Sequence, residues 1–273
     1  MSWVEALILG VLQGFTEFLP VSSSGHLALA QTIMGGGGQA SRLSFVVALH
    51  VGTLLAVLVY FRRELAAMAL TLVPGRGEAG SWQQRWVGLL AAATLPIVAV
   101  GLGFADAIEA AFSSLGAVGT GLLATAALLA SAQWRLQAGR RAGREERPAR
   151  ALGLRDALLI GAFQAVAVFP GVSRSGACIA GALLCGLERG VAARFAFLLS
   201  IPAISGATIL HLPEIAAVAA QNPVALAVGT LAAASTGWLA IDVMMRAVGR
   251  GRLLPFALYC SVLGALTLAA GVW

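Results

Sequence analysis

The sequence predicts an all-α polytopic membrane protein. It is expected as an inverted-topology repeat with six full transmembrane helices and two re-entrant helical hairpins. Three observations lead there. First, 59% of the 273 residues are hydrophobic and 11% are charged, with mean hydropathy +0.88. Soluble domains carry about 25% charged residues, so a chain this apolar belongs in lipid. Second, the apolar residues fall into runs of roughly 20, the length that crosses a bilayer as a helix. Third, the chain repeats itself. At an offset of 151, Gly10, Gln13, Phe18, Val21, Ser22, Ser24 and Gly25 fall on Gly161, Gln164, Phe169, Val172, Ser173, Ser175 and Gly176 without a gap.

Residues 2–34 are apolar but interrupted by Pro20 and Ser22-Ser23-Ser24-Gly25, which predicts two short helices with a break. The first apolar segment lacks a basic flank and a small-residue cleavage site, so it is expected in the mature protein. A loop at Gly35–Gly38 leads to Arg42 and to a span over 43–61, which stops at Arg62-Arg63-Glu64. Further spans are expected at 86–105, which contains Pro96, and at 113–134, with Asp106 and Glu109 in a short acidic loop between them. The most basic loop follows, at 135–155. Residues 156–187 then repeat the interrupted pattern, broken at Pro170-Gly171 and Ser173-Arg174-Ser175-Gly176. The spans 195–212, 223–245 and 253–272 complete the chain. Residues 1–273 therefore read as one integral membrane domain. Repeat one covers about 1–134, the basic cytoplasmic loop 135–155, and repeat two about 156–273.

All eighteen basic residues are arginine, and the net charge is +6. The arginines cluster in loops between apolar runs, which is the positive-inside pattern rather than the basic stripe of a nucleic-acid binder. No nucleic-acid partner is expected; membrane lipids are. Loops 62–85, 135–155 and 246–252 should be cytoplasmic, and 106–112 and 213–222 external. With three full spans between them, the two broken segments enter with opposite orientation. Re-entrant hairpins put the N-terminus outside and Arg189 and Arg194 inside. Cys178, Cys185 and Cys260 lack metal-ligand spacing and read as reduced, structural thiols. Composition leaves homodimerisation open.

The breaks carry the chemistry. Lipid cannot satisfy the backbone groups that a broken helix frees, so such a break lies in protein or lines a cavity. Serines after each break are N-cap candidates, and two helix N-termini aimed at one cavity make an anion site. Arg174 is costly in lipid and needs a partner, either a phosphate held by its guanidinium fork or a carboxylate. Glu17 has Gln13 one turn earlier. It suits a divalent cation, Mg²⁺ or Ca²⁺, held against a pyrophosphate, a proton-transfer role, or an ion pair with Arg174. His26 suits a nucleophile, a base or an acid, or a plain buried hydrogen-bonding role. A serine needs an adjacent base to attack phosphorus, and Ser23 with His26 or Glu17 is the plausible pair. His50 and His211 lack such company and are set aside.

The segments Gln13-Gly14-Phe15-Thr16-Glu17-Phe18-Leu19-Pro20-Val21-Ser22-Ser23-Ser24-Gly25-His26 and Pro170-Gly171-Val172-Ser173-Arg174-Ser175-Gly176 resemble the two signatures of the undecaprenyl-diphosphate phosphatase (bacitracin-resistance) family. The resemblance extends over essentially the whole chain, including Pro255-Phe256-Ala257-Leu258-Tyr259. It implies an inner-membrane hydrolase, multi-pass, with its active site facing the periplasm. Such an enzyme removes the terminal phosphate of a polyprenyl diphosphate with a divalent cation, recycles the lipid carrier of peptidoglycan synthesis and confers bacitracin resistance. Carried across, Glu17, Ser23, His26 and Arg174 are the catalytic candidates. Gln13, Ser22, Ser24, Ser173, Ser175, Gly176 and Cys178 are the substrate-binding candidates, and Glu17 with Gln13 the metal-holding ones. One departure is visible: Cys178 stands where the family usually has Thr; Gln13 fits the family's Glu-or-Gln position but offers one carboxylate fewer than Glu would. The alternative function is a secondary transporter or polyprenyl-phosphate flippase, since inverted repeats with broken helices also mark transporters.

Overall fold

The computed structural model describes residues 2–33, 39–73, 81–112 and 114–270, with side chains outside 31–43. The expected loops at 35–38 and at Pro74–Gly77 lie outside the described residues. Thirteen α-helices and one 3₁₀ turn, and no strand, make up the described chain.

The first broken segment is α1 (Trp3–Phe18) and α2 (Ser23–Ile33). A capping box starts α1: the Ser2 hydroxyl accepts from the Glu5 amide at 3.2 Å, and the Glu5 carboxylate accepts from the Ser2 amide at 2.7 Å. It ends two residues before Pro20, which disfavours a helical residue in front of it. The second broken segment is α8 (Leu154–Val166) and α9 (Arg174–Leu184). Asp156, 151 residues after Glu5, does the same work at the start of α8, accepting from the Gly153 amide at 2.9 Å.

The remaining helices are α3 (Gln39–Tyr60), α4 (Arg62–Thr71), α5 (Trp82–Gly103), α6 (Ala105–Phe112), α7 (Leu115–Arg141), α10 (Arg189–Leu210), α11 (Leu212–Gln221), α12 (Pro223–Gly249) and α13 (Leu254–Ala270). Four of them, α5, α7, α10 and α12, are each long and apolar enough to cross a membrane. Counted with α4 across a 74° bend, α3 adds a fifth. The expected span 253–272 is α13, with 17 described residues.

Several helices start or end beyond the expected spans. The helix expected at 113–134 continues to Arg141, and that expected at 195–212 begins at Arg189. Hydropathy marks where a segment leaves the hydrocarbon; a helix runs on as long as its residues are good helix formers. The expected loops 62–85, 106–112 and 213–222 also contain short helices, α4, α6 and α11. Exposed Leu72, Phe112 and Leu212 lie in or beside them, which suits helices resting at an interface.

Packing exchanges partners between the two halves. α1 lies along α12, and α8 along α5; α3 meets α10, and α7 meets α13. Both broken segments need small residues at these crossings. A methyl at Gly10 would strike the Gly229 carbonyl, and one at Gly161 would strike the Ala93 carbonyl. The main core joins Phe18, Phe61, Trp86, Leu129, Ile160, Phe195 and Phe197. Phe18 meets Phe197 edge-to-face at 5.8 Å, so the end of α1 is held against α10.

The candidate active site at the two helix breaks

Each break uses the same local device. In the first, Ser22 takes the left-handed conformation with φ 71°. Its hydroxyl accepts from the Gly25 amide at 3.2 Å and lies 3.2 Å from that of Ser24. In the second, Ser173 caps α9 by accepting from the Gly176 amide at 3.1 Å, and lies 3.1 Å from the Ser175 hydroxyl. The left-handed residue there is Gly171, φ 84°, which a glycine adopts without steric cost. For Ser22 the same region is unfavourable by about 1–2 kcal/mol, so the surrounding bonds must hold it.

They do so by stitching the breaks together. Ser24 Oγ accepts from the Gly171 amide at 3.3 Å, and Ser175 Oγ donates to the Leu19 carbonyl at 3.2 Å. Thr125, on α7, holds the second break: its hydroxyl accepts from the Ser173 amide at 2.8 Å and lies 3.1 Å from the Gly171 carbonyl. On the other side, Cys260 of α13 reaches the Pro20 carbonyl at 3.5 Å. The backbone groups freed by the breaks thus find side-chain partners, as a low-dielectric setting demands.

The charged residues meet across this junction. The Arg174 guanidinium pairs with Glu17 Oε1. Glu17 is 6% exposed, and its other oxygen accepts from Ser23 Oγ at 2.8 Å and from the Gln13 amide at 3.1 Å. His50 Nε2 lies 3.6 Å from that same oxygen. Removal of any one of these donors leaves a buried carboxylate less compensated. The N-termini of α2 and α9, at Ser23 and Arg174, also end here. The positive ends of two helix dipoles therefore lie at this junction.

The candidates predicted from sequence are therefore brought together, with differences in pairing. Ser23 is bonded to Glu17, not to His26. His26 turns to other partners: Nδ1 lies 2.8 Å from the Ser22 carbonyl and Nε2 2.6 Å from the Tyr259 hydroxyl. Gly176 is buried against Pro20, and Cys178 is fully buried in the main apolar core. Three residues join the site from outside the candidates, and one of them, His50, is a correction, because it was set aside and yet its ring lies 3.6 Å from Glu17. His50 was readable as an ionisable residue inside an apolar span. Thr125 carried no signal, being an ordinary residue on an apolar helix, and Tyr259 was marked only as the end of the Pro255–Tyr259 run that the resemblance includes, with no role attached.

A divalent cation finds a partial donor set. Among the described residues no three His, Cys, Asp or Glu side chains cluster. Gln13, however, is completely buried, and its Oε1 has no hydrogen-bond partner. That neutral oxygen beside the Glu17 carboxylate suits a hard cation which draws its other ligands from phosphate and water.

Residues 6–266 match the family model described as bacitracin resistance protein BacA. An undecaprenyl-diphosphatase of Korarchaeum cryptofilum is 43% identical over 98% of this chain and 99% of its own length. The protein of the same name from Desulforapulum autotrophicum is 40% identical over 99% of each chain. That of Rubrobacter xylanophilus is 43% identical over 97% of each. With the match running through both serine-rich breaks and the helices that carry them, the chain belongs to the bacitracin resistance protein BacA family.

Proposed function

We infer that this protein is a membrane phosphatase that hydrolyses undecaprenyl diphosphate to undecaprenyl phosphate and inorganic phosphate, recycling the lipid carrier for peptidoglycan synthesis. The observation that carries the reading is the ion pair between Arg174 and Glu17, which joins the two breaks while Glu17 also holds the Ser23 hydroxyl. Apart from Glu17, the Arg174 guanidinium meets no side-chain or backbone acceptor among the described residues, so most of its donors are available to an anion. An arriving phosphate competes with Glu17 for that guanidinium. Once displaced, the carboxylate is a stronger base, and it already accepts the hydrogen bond of Ser23.

Arg174, Ser173, Ser175, Ser22, Ser24, the Gly176 segment and the two helix N-termini hold the diphosphate. Ser23 Oγ attacks the terminal phosphorus as its proton passes to Glu17. The bond to the bridging oxygen breaks, releasing the lipid monophosphate, and water then hydrolyses the phosphoserine. His26 takes the proton of that water, and Glu17 returns its proton to the Ser23 oxygen. Cys178 shapes the wall behind α9 and does not touch phosphate. Positioning and charge stabilisation supply most of the acceleration in such transfers. Mg²⁺ or Ca²⁺ belongs to the same proposal: Glu17 and Gln13 Oε1 would hold it, and it would neutralise phosphate charge.

The accompanying topology has six spans and two re-entrant hairpins in the inner membrane, with the site facing the periplasm. The two repeats are 1–134 and 156–273. Its support is the exchange of α12 and α5 between α1 and α8, and the matching caps at Ser22 and Ser173. A carrier for a neutral solute needs none of the Arg, Glu, Ser and His gathered here. Purified protein in detergent should release phosphate from a polyprenyl diphosphate, and rapid acid quenching should trap phosphate on Ser23. Label on His26, or turnover by a Ser23→Ala variant at the wild-type rate, would remove Ser23 from the nucleophile's role.

A further inference from the structure

Among the described residues, the hydrogen bond and the ring contact of Tyr259 both go to His26. The Ser22 carbonyl can only accept, so the proton at the 2.8 Å contact sits on His26 Nδ1. In the neutral ring, Nε2 is then a lone pair, and the Tyr259 hydroxyl donates to it at 2.6 Å. The two rings lie nearly parallel, at 7° with centroids 5.6 Å apart. Both ends of the imidazole are thereby fixed, one by the strained residue of the first break and the other by α13.

The placement of α13 makes this more than a chance surface bond. The next residue, Cys260, is fully buried, clusters with Val21 and Ala126, and bonds the Pro20 carbonyl at 3.5 Å. The helix is therefore docked onto the first break at the level of Tyr259. Tyr259 itself is 46% exposed. Its hydroxyl lies at the one imidazole nitrogen that Ser22 leaves free.

We propose that Tyr259 is a positioning residue for the phosphatase reaction, setting which nitrogen of His26 is proton-free and where that lone pair points. This rests on the reading that His26 is the base for the water that hydrolyses the phosphoserine. Tyr259→Phe keeps the stacked ring and deletes only the hydroxyl. The expected result is a fall in kcat of about tenfold, the rate equivalent of one ordinary hydrogen bond, with KM for the lipid diphosphate within twofold. In a His26→Ala background the same substitution should change nothing further, because the group it positions is gone. Nitrogen-15 spectra of the histidines in the wild-type protein should show His26 protonated at Nδ1, a readout that needs no variant to fold. Three outcomes overturn the proposal. The first is His26 protonated at Nε2 in the wild type. The second is Tyr259→Phe turning over normally while His26→Ala is impaired, which leaves the phosphatase reading intact. The third is full independence of the two substitutions. Wild-type turnover by His26→Ala would instead remove His26 from the proposed reaction, and this proposal with it.

Discussion

Replacing Arg174 separates its two jobs, because stability and catalysis should respond to different partners. Glu17 has a side chain only 3% exposed, and Arg174 is 20% exposed. Removing one partner of a buried ion pair costs about 3–5 kcal/mol through the charge left behind. The lower end applies here, since Glu17 retains its bonds from Ser23 and Gln13 and the arginine is only partly buried. Arg174→Ala should therefore lose about 3 kcal/mol, a fall of roughly 6–12 °C in unfolding temperature for a chain of this size. Adding Glu17→Gln removes the stranded charge, so the double variant should be about 2 kcal/mol more stable than Arg174→Ala alone. Turnover should not follow. Both variants lose the phosphate-binding fork, and a transfer arginine is worth roughly 10³–10⁵ in rate. Thermal unfolding in detergent and phosphate release from a polyprenyl diphosphate measure the two effects. A double variant no more stable than Arg174→Ala would refute the charge argument. An Arg174→Ala enzyme with normal turnover would refute the site.

Two further predictions probe the frame that holds the breaks. Arg147 donates to both oxygens of Asp156 at 2.9 Å and to the Cys185 carbonyl at 2.9 Å, tying the basic loop to α8 and α9. Arg147→Met should cost about 2 kcal/mol, below the full value for charged hydrogen bonds because the arginine is half exposed, and Asp156→Asn in that background should recover part of it; unchanged unfolding would discount this tie. At the α5–α8 crossing, Gly161→Val must push apart two backbones, since the Ala93 carbonyl carbon is 3.0 Å from the new Cβ. It should cost about 2–3 kcal/mol or abolish folding, whereas Gly88→Ala on α5, with open space around it, should cost nothing. Equal behaviour of the two in a thermal or detergent-challenge assay would show that close approach is not what the glycine serves.

Much of the molecule was readable before any coordinates. Apolar run length marks helices because lipid imposes it, and Pro20 and Pro170-Gly171 mark breaks because their backbones cannot continue a helix. Serine after each break marks a cap, as Ser22 and Ser173 are. The 151-residue offset paired Ser22 with Ser173 and Ser24 with Ser175, and the hydrogen bonds repeat that pairing. Helix ends were less legible, since α7 and α10 extend beyond the hydrophobic stretch on which the spans were judged.

Local sequence determined the two breaks, their caps and the polar residues within them, because those depend on backbone sterics and on hydrogen bonds three or four residues long. Which polar group meets which was decided only by the packing of distant helices. Glu17 finds Arg174 across 157 residues, and His26 finds Tyr259 across 233. Ser23 prefers Glu17 to His26 because α1 and α2 turn back on one another at Ser22, while α13 claims the imidazole. The spacing of the motif contains no trace of that choice.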